Sequence, residues 1–241
     1  MSTLKVMGIV GIRSGSKGVI DKNVRPLLGK PLVGWILETA KKSSTINRLV
    51  VSTDSEEYAT IARAFGAETP ILRPQEFAED TAPEYLYVRH MLDHLKDREG
   101  YEPDIVVRMM ATVPLQTAND IDTVVGMLEK NDAADSAVVI AEARQHPMKA
   151  LKITSDDKGV KRLVTYFSEN GREVTPIARQ SYERAYFRAN IIASRLGTIY
   201  ATESLTGDSV LPHIIPQERA LDIDSETDFL IAELLLKNAS Q

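Results

Sequence analysis

Short apolar runs alternate with amphipathic helical stretches over the first 140 residues, and this alternation constrains the fold more than any other feature of the chain. Val6–Ile12 reads as a buried first strand. Leu32–Lys42 places Leu32, Ile36 and Ala40 on one face, with Val33 and Leu37 beside them, which is helical spacing. Leu49–Thr53 is a β-branched strand, and Ser55–Phe65 a helix stopped by Gly66. Thr69–Leu72 predicts a third strand, and Thr81-Ala82-Pro83-Glu84 a capping box that opens a helix to about Lys96. Ile105–Met109 is a strand, Thr117 caps a helix running to about Lys130, and Ser136–Ile140 is a strand again. This order predicts an α/β fold: a mostly parallel sheet with helices on both faces. Ligands of such sheets sit beyond the carboxyl ends of the strands, where the loops after Ile12, Leu72 and Met110 would share one rim.

Residues 144–196 are more polar and less periodic, and read as an insertion in a single domain spanning 1–241. Within it, Lys149–Ile153 and Lys161–Thr165 would pair as a hairpin across Ser155-Asp156-Asp157-Lys158-Gly159. The α/β pattern returns with Gly197–Ala201 and Ala220–Ile223, and Glu226–Asn238 is an amphipathic helix presenting Phe229, Leu230 and Leu234.

The first predicted strand runs into Arg13-Ser14-Gly15-Ser16-Lys17-Gly18, then Asp21-Lys22-Asn23 and Gly29-Lys30-Pro31. Arg13, Lys17, Lys22, Arg25 and Lys30 face one acid, Asp21, giving +4 over residues 13–30 in a chain of net charge -5. Glycines let backbone N–H groups approach a bound anion, and the fixed cations add charge. Such a loop suits a triphosphate, although it matches neither the P-loop nor the dinucleotide fingerprint, and a solvated basic turn is the plain alternative. Near the other end, Leu221-Asp222-Ile223-Asp224-Ser225 alternates apolar and acidic residues. In extended backbone Asp222 and Asp224 project together while Leu221 and Ile223 point to the core. Two neighbouring carboxylates repel unless a cation sits between them, and an all-oxygen donor set suits Mg²⁺. The alternative is helix capping by Ser225 and Asp228, with Glu226 in the first turn.

The bulk composition excludes several classes. There is no cysteine, hence no disulfide framework and no thiolate metal site. His90, His94, His146 and His213 form no ligand cluster in the sequence. The mild acidity argues against nucleic-acid binding. No window is long and apolar enough to span a membrane, and a soluble cytoplasmic protein is expected.

Taken in order, these motifs resemble the acylneuraminate cytidylyltransferases, the CMP-sialic acid synthetases, and their pseudaminic and legionaminic acid relatives. Arg13–Gly18 with Lys22-Asn23 is similar to the family's nucleotide loop, and Val51-Ser52-Thr53-Asp54-Ser55 to its second-strand motif. Gly66-Ala67-Glu68, Leu72-Arg73-Pro74 and Glu79-Asp80-Thr81-Ala82 continue the series. His146-Pro147-Met148-Lys149 is similar to a motif ahead of the family's dimerisation segment, and Leu221-Asp222-Ile223-Asp224 with Asp228-Phe229 to its end.

The resemblance implies a three-layer, Rossmann-like nucleotidyltransferase fold of GT-A type, with residues 144–196 as a dimerisation and sugar-binding insertion in a homodimer or higher oligomer. It implies Mg²⁺-dependent reaction of CTP with a nine-carbon 2-keto sugar acid to give CMP-sugar and pyrophosphate. Arg13, Lys17 and Lys22 would bind the triphosphate and, with Asp222, act in catalysis. Ser14, Gly15, Ser16, Asn23, Arg73, Thr81, Ala82 and Met110 would complete the nucleotide site, with Asp80 beside it. Asp222 and Asp224 would hold the metal, and Lys149, Gln116, Arg179 and Gln180 the sugar.

The chain departs from the family at three places. Met110-Ala111-Thr112-Val113-Pro114-Leu115-Gln116 replaces Gln-Pro-Thr-Ser-Pro-Leu-Arg, and its Ala-Thr-x-Pro is closer to the pseudaminic branch. Pro83-Glu84 stands where the sialic acid enzymes tend to have serines near the base. Six residues separate Arg188-Ala189-Asn190 from Gly197-Thr198-Ile199-Tyr200, where the family runs on directly. These are sugar-selecting positions, so the particular acid stays open. Two other readings stay open as well: a guanylyl- or uridylyltransferase acting on a sugar 1-phosphate, and a non-catalytic nucleotide-sugar sensor. No G-x-S-x-G elbow supports a Ser-His-Asp hydrolase.

Overall fold

The structure, a computed structural model, describes residues 4–16, 18–167 and 182–239. Its centre is a six-stranded sheet of β1 (Val6–Gly11), β4 (Arg48–Ser52), β5 (Ile105–Met110), β6 (Ser136–Glu142), β9 (Tyr186–Arg195) and β10 (Val210–Ile215), in the order β10-β6-β9-β5-β1-β4. β1 is parallel to β4 and β5, and β10 to β6, while β9 runs antiparallel between β5 and β6. β2 (Pro26–Leu27) and β3 (Lys30–Pro31) form a small antiparallel ribbon.

Helices cover both faces, as the alternation requires. α1 (Leu32–Lys41), α2 (Glu56–Ala64) and α4 (Ala118–Glu129) bury Ile36, Leu37, Tyr58, Ala62, Val124 and Leu128 against Val10, Val107 and Val139. On the opposite face, α3 (Glu84–Glu99) and α5 (Leu196–Thr202) pack Val88, Met91, Leu95 and Ile199 on Met7, Ile9 and Val106. A third cluster joins Val19, Leu27 and Leu32 to Leu221, Ile223, Phe229, Ala232 and Leu236, the last three from α6 (Glu226–Ala239). Burying each such large side chain is worth about 1.5–3 kcal/mol. That cluster pins the end of the chain against the loop that follows β1.

Several sequence expectations are corrected. Thr69–Leu72 is not a strand: Pro70 lacks a donor, and pairing stops at the single bridge between Val50 and Glu68. Thr81 does not cap α3, which starts after Pro83 without a side-chain cap, because a residue preceding proline is pushed out of helical backbone. Thr117 does form its capping box, with Asp120. The element at Gly197–Ala201, for which the α/β pattern named no type, is the helix α5, and β10, which carries Pro212, escaped the sequence reading. Ala220–Ile223 is no strand either: a 3₁₀ turn covers Gln217–Ala220, and unpaired extended chain follows.

The hairpin forms as β7 (Leu151–Ser155) and β8 (Lys161–Thr165). Tyr186–Arg195 of the expected insertion, however, is β9, an interior strand of the main sheet. α6 turns Phe229 inward but leaves Leu230 and Leu234 exposed.

Candidate active site

β1 and β5 end side by side, and β4 ends beside β1. The loops beyond them enclose a cavity of about 440 Å³ lined by Gly11, Arg13, Ser16, Gly18, Lys22, Asn23, Arg73, Phe77, Ala82, Glu84, Tyr87, Met110, Thr112 and Asp224, among others. The basic loop and the acidic end of the chain therefore share one wall. Lys22 Nζ donates to Asp224 Oδ1 at 2.8 Å. A Cβ at Gly18 would lie 2.8 Å from the Asp224 carbonyl oxygen, so only glycine lets the two segments touch. Arg25 forms a two-pronged ion pair with Glu226 and stacks over Phe229, 4.7 Å from the ring centroid.

The loop is held from behind. Asp54, just after β4, accepts from the Ser14 amide at 2.8 Å and the Ser14 hydroxyl at 2.7 Å. Asn23 Nδ2 donates to the Arg13 carbonyl at 3.1 Å, so Asn23 braces the loop while also lining the cavity. Arg13 pairs with Asp80 across the opening. Arg73 is buried, donating through Nε to Ser52 Oγ at 3.0 Å and through Nη2 to the Ser52 carbonyl at 2.7 Å. Burial lowers its pKa, and its guanidinium lies 4.2 Å from the Tyr87 ring centroid. Burial pushes the Tyr87 hydroxyl up to about 12, which keeps it protonated.

Asp222 and Asp224 diverge from a strand geometry yet keep the expected alternation, since Leu221 and Ile223 are core and the Ile223 amide donates to the Thr112 carbonyl at 2.9 Å. Asp222 Oδ2 accepts from Asn190 Nδ2 at 2.8 Å. Its Oδ1 is buried and has no hydrogen-bond partner among the described residues. Burial raises the Asp222 pKa; the nearby Thr112 hydroxyl, Lys22 and Asn190 oppose the rise and the Asp224 charge adds to it. An unpartnered buried carboxylate oxygen beside a second carboxylate fits a hard divalent cation, with phosphate and water oxygens completing its shell. No group of three or more His, Cys, Asp or Glu residues suited to a metal exists among the described residues. The capping reading holds for Asp228, which accepts from the Ser225 amide at 2.8 Å and the Ser225 hydroxyl at 2.7 Å.

A second cavity, of about 430 Å³, has Asp222 in its wall with Arg144, Gln145, Phe187, Arg188 and Gln217. Of the expected sugar ligands, Gln116 and Lys149 are not in it. Gln116 is buried and donates to the Ala189 carbonyl, and Lys149 is exposed and lines neither cavity. Ser14, Gly15 and Thr81 lie next to the first cavity in sequence without lining it. Lys17, Arg179 and Gln180 fall outside the described residues. Glu84, which the resemblance set near the base, is in the cavity wall; sequence reading missed its partner Arg108, a buried strand arginine whose Nη2 donates to Glu84 Oε2 at 2.8 Å. A charged residue in the middle of the apolar run Ile105–Met110 was the available signal.

A mostly parallel three-layer sheet with a basic loop after its first strand and carboxylates facing that loop defines a nucleotidyltransferase. The chain belongs to the cytidylyltransferase family, whose model matches residues 7–204. It is 30% identical over 234 residues to the post-translational flagellin modification protein B of Campylobacter coli, covering 97% of this chain and 95% of that one. It is 29% identical to the CMP-N,N'-diacetyllegionaminic acid synthase of Campylobacter jejuni, covering 98% and 97%. It is 28% identical to an N-acylneuraminate cytidylyltransferase of Escherichia coli over 95% of this chain, but only 51% of that longer protein. In structure it is similar to a CMP:2-keto-3-deoxy-manno-octonic acid synthetase complexed with CTP, at a TM-score of 0.70 and 14% identity over 98% and 99% of the chains. No helix among the described residues is long and apolar enough to cross a membrane.

Proposed function

We propose that this cytidylyltransferase joins CTP to a nine-carbon 2-keto sugar acid of the sialic, pseudaminic or legionaminic type, with Mg²⁺ held at Asp222 and Asp224. The observation that carries the reading is the closure of the basic loop and the carboxylate end on one cavity, with Lys22 and Asp224 in contact. The names of the relatives support the substrate class. The anomeric hydroxyl attacks the α-phosphorus, the bond to the bridging oxygen breaks, and pyrophosphate leaves in line. Arg13, Lys17 and Lys22 take up charge on the departing pyrophosphate. Arg73, braced on Ser52 and Tyr87, shapes the base end together with Ala82 and Met110. Magnesium, when bound, would supply charge neutralisation at the phosphates and acidify the attacking hydroxyl. The second cavity takes the sugar acid, where Arg144 and Arg188 match its carboxylate better than the buried Gln116. The exposed apolar side chains of the β7–β8 hairpin support a homodimer.

Pyrophosphate release should be measured for all four nucleoside triphosphates against sialic, pseudaminic and legionaminic acids and against sugar 1-phosphates. Release with CTP and a 2-keto acid alone is expected. Release with GTP or UTP and a sugar 1-phosphate would replace the reading, and nucleotide binding without turnover over the panel would leave a sensor.

A further inference from the structure

Among the described residues, four other than glycine have positive φ: Asp21, Leu28, Asn190 and Glu203. Asn190 alone lies within a strand, at φ 64 in the interior of β9. The β6–β9 register breaks there: Val138 pairs with Ile192 and Ile140 with Arg188, so four steps of β9 span two of β6. Left-handed backbone inside a sheet is costly and persists where the surroundings over-determine it, and such departures cluster at functional sites. Asparagine tolerates it better than most side chains.

The bulge gathers polar contacts from three separate segments. Asn190 Nδ2 donates to Asp222 Oδ2 at 2.8 Å. The Asn190 carbonyl accepts from Arg108 Nη1 at 3.3 Å, and Arg108 in turn holds Glu84 on the wall of the nucleotide cavity. The neighbouring Ala189 carbonyl accepts from Gln116. One irregular dipeptide thus meets the carboxylate end, the base-side wall and the loop after β5.

Resting on the reading above, we propose that Asn190 is a positioning residue: the bulge aims its amide at Asp222 Oδ2, fixing the carboxylate so that its unpartnered Oδ1 is the atom left for the cation. An ordinary β conformation would send this side chain to one face of the sheet. The bend instead brings it to a segment thirty-two residues away in sequence. A carboxylate free to rotate would share its charge between orientations, and loss of outer-shell partners of this kind typically costs about 10–100-fold in metal affinity or activity.

Asn190→Gly keeps the positive φ accessible and removes the amide. The expected result is a loss of kcat of about tenfold or more, with Mn²⁺ binding in the presence of CTP, read from the free-ion EPR signal, weakened about tenfold. The KM for CTP and the melting temperature should stay close to wild type. Asn190→Asp keeps shape and backbone preference but presents a second charge in place of a donor, and its turnover should fall at least as far; it carries the test if the glycine variant does not fold. Wild-type turnover and Mn²⁺ binding in the variants would overturn the proposal, as would losses that follow the melting temperature while Mn²⁺ binding is unchanged. Asp222→Asn run alongside separates the two levels: full turnover there defeats the parent reading, whereas loss there with Asn190→Gly unaffected defeats only the role of Asn190.

Discussion

Gly11 has no room for a side chain: an added Cβ would lie 2.6 Å from Tyr87 Cζ and 3.0 Å from Arg73 Nη2. Gly11→Ala must therefore displace the ring and guanidinium that line the cavity at its proposed base end, at a cost of about 1–3 kcal/mol. A raised KM for CTP in steady-state kinetics is the expected sign, with the fold retained by circular dichroism. Lys22→Ala and Asp222→Asn should each cut kcat by about 10²–10³-fold, as removal of a transition-state charge contact does; single-turnover pyrophosphate release measures this directly. The charged groups were legible residue by residue, because Arg13, Lys22, Asp222 and Asp224 sit in runs whose charge has no other use in a core. Asp54, Glu84, Arg108 and Asn190 were not legible as a set, since what unites them is contact across 24 to 40 residues or more of intervening chain.

Among the elements, α4 shows best how local chemistry and tertiary packing combine. Asp120 at its third position is fully buried, accepts from Thr117, and pairs with Arg219 at 2.6 Å and His213 at 3.1 Å. Burial alone would raise its pKa, but the Thr117 hydrogen bonds, His213 and Arg219 outweigh it and hold the carboxyl below its ordinary 3.8. A depressed carboxyl stabilises the fold above its unfolded value and loses that contribution as pH falls through the folded one. Asp120→Ala is expected to cost about 3 kcal/mol at pH 7, since it strands the Arg219 guanidinium and leaves the His213 ring without its partner. Its deficit against wild type in urea melts should shrink below about pH 4. Thr117 announced this helix in the sequence because its box partner lies three residues on, within the helix itself. Thr81 carried the same letters, but Pro83 moved the start of α3 past it.

For the molecule as a whole, the alternation of the first 140 residues established the layers, and the strand order placed the loops after β1, β4 and β5 on one rim. The antiparallel β9 was hidden, because its polar start, Tyr186 to Asn190, reads as part of the insertion while its end is core. What protrudes is the β7–β8 hairpin, on which Leu151, Ile153 and Leu163 are 54%, 67% and 66% exposed. The homodimer proposed above would bury them, so Ile153→Asp combined with Leu163→Asp should shift sedimentation from dimer to monomer, and unchanged sedimentation would place the interface elsewhere. The nucleotide and its cation are proposed to meet in the gap between the basic loop and the two aspartates. Crystals grown with CTP and Mn²⁺, and measured for anomalous scattering, examine that gap directly. The expected result is a manganese peak within coordination distance of the Asp222 carboxylate and a phosphate oxygen, with the triphosphate along Arg13, Ser16 and Lys22. A nucleotide bound with its metal away from both Asp222 and Asp224 would contradict it.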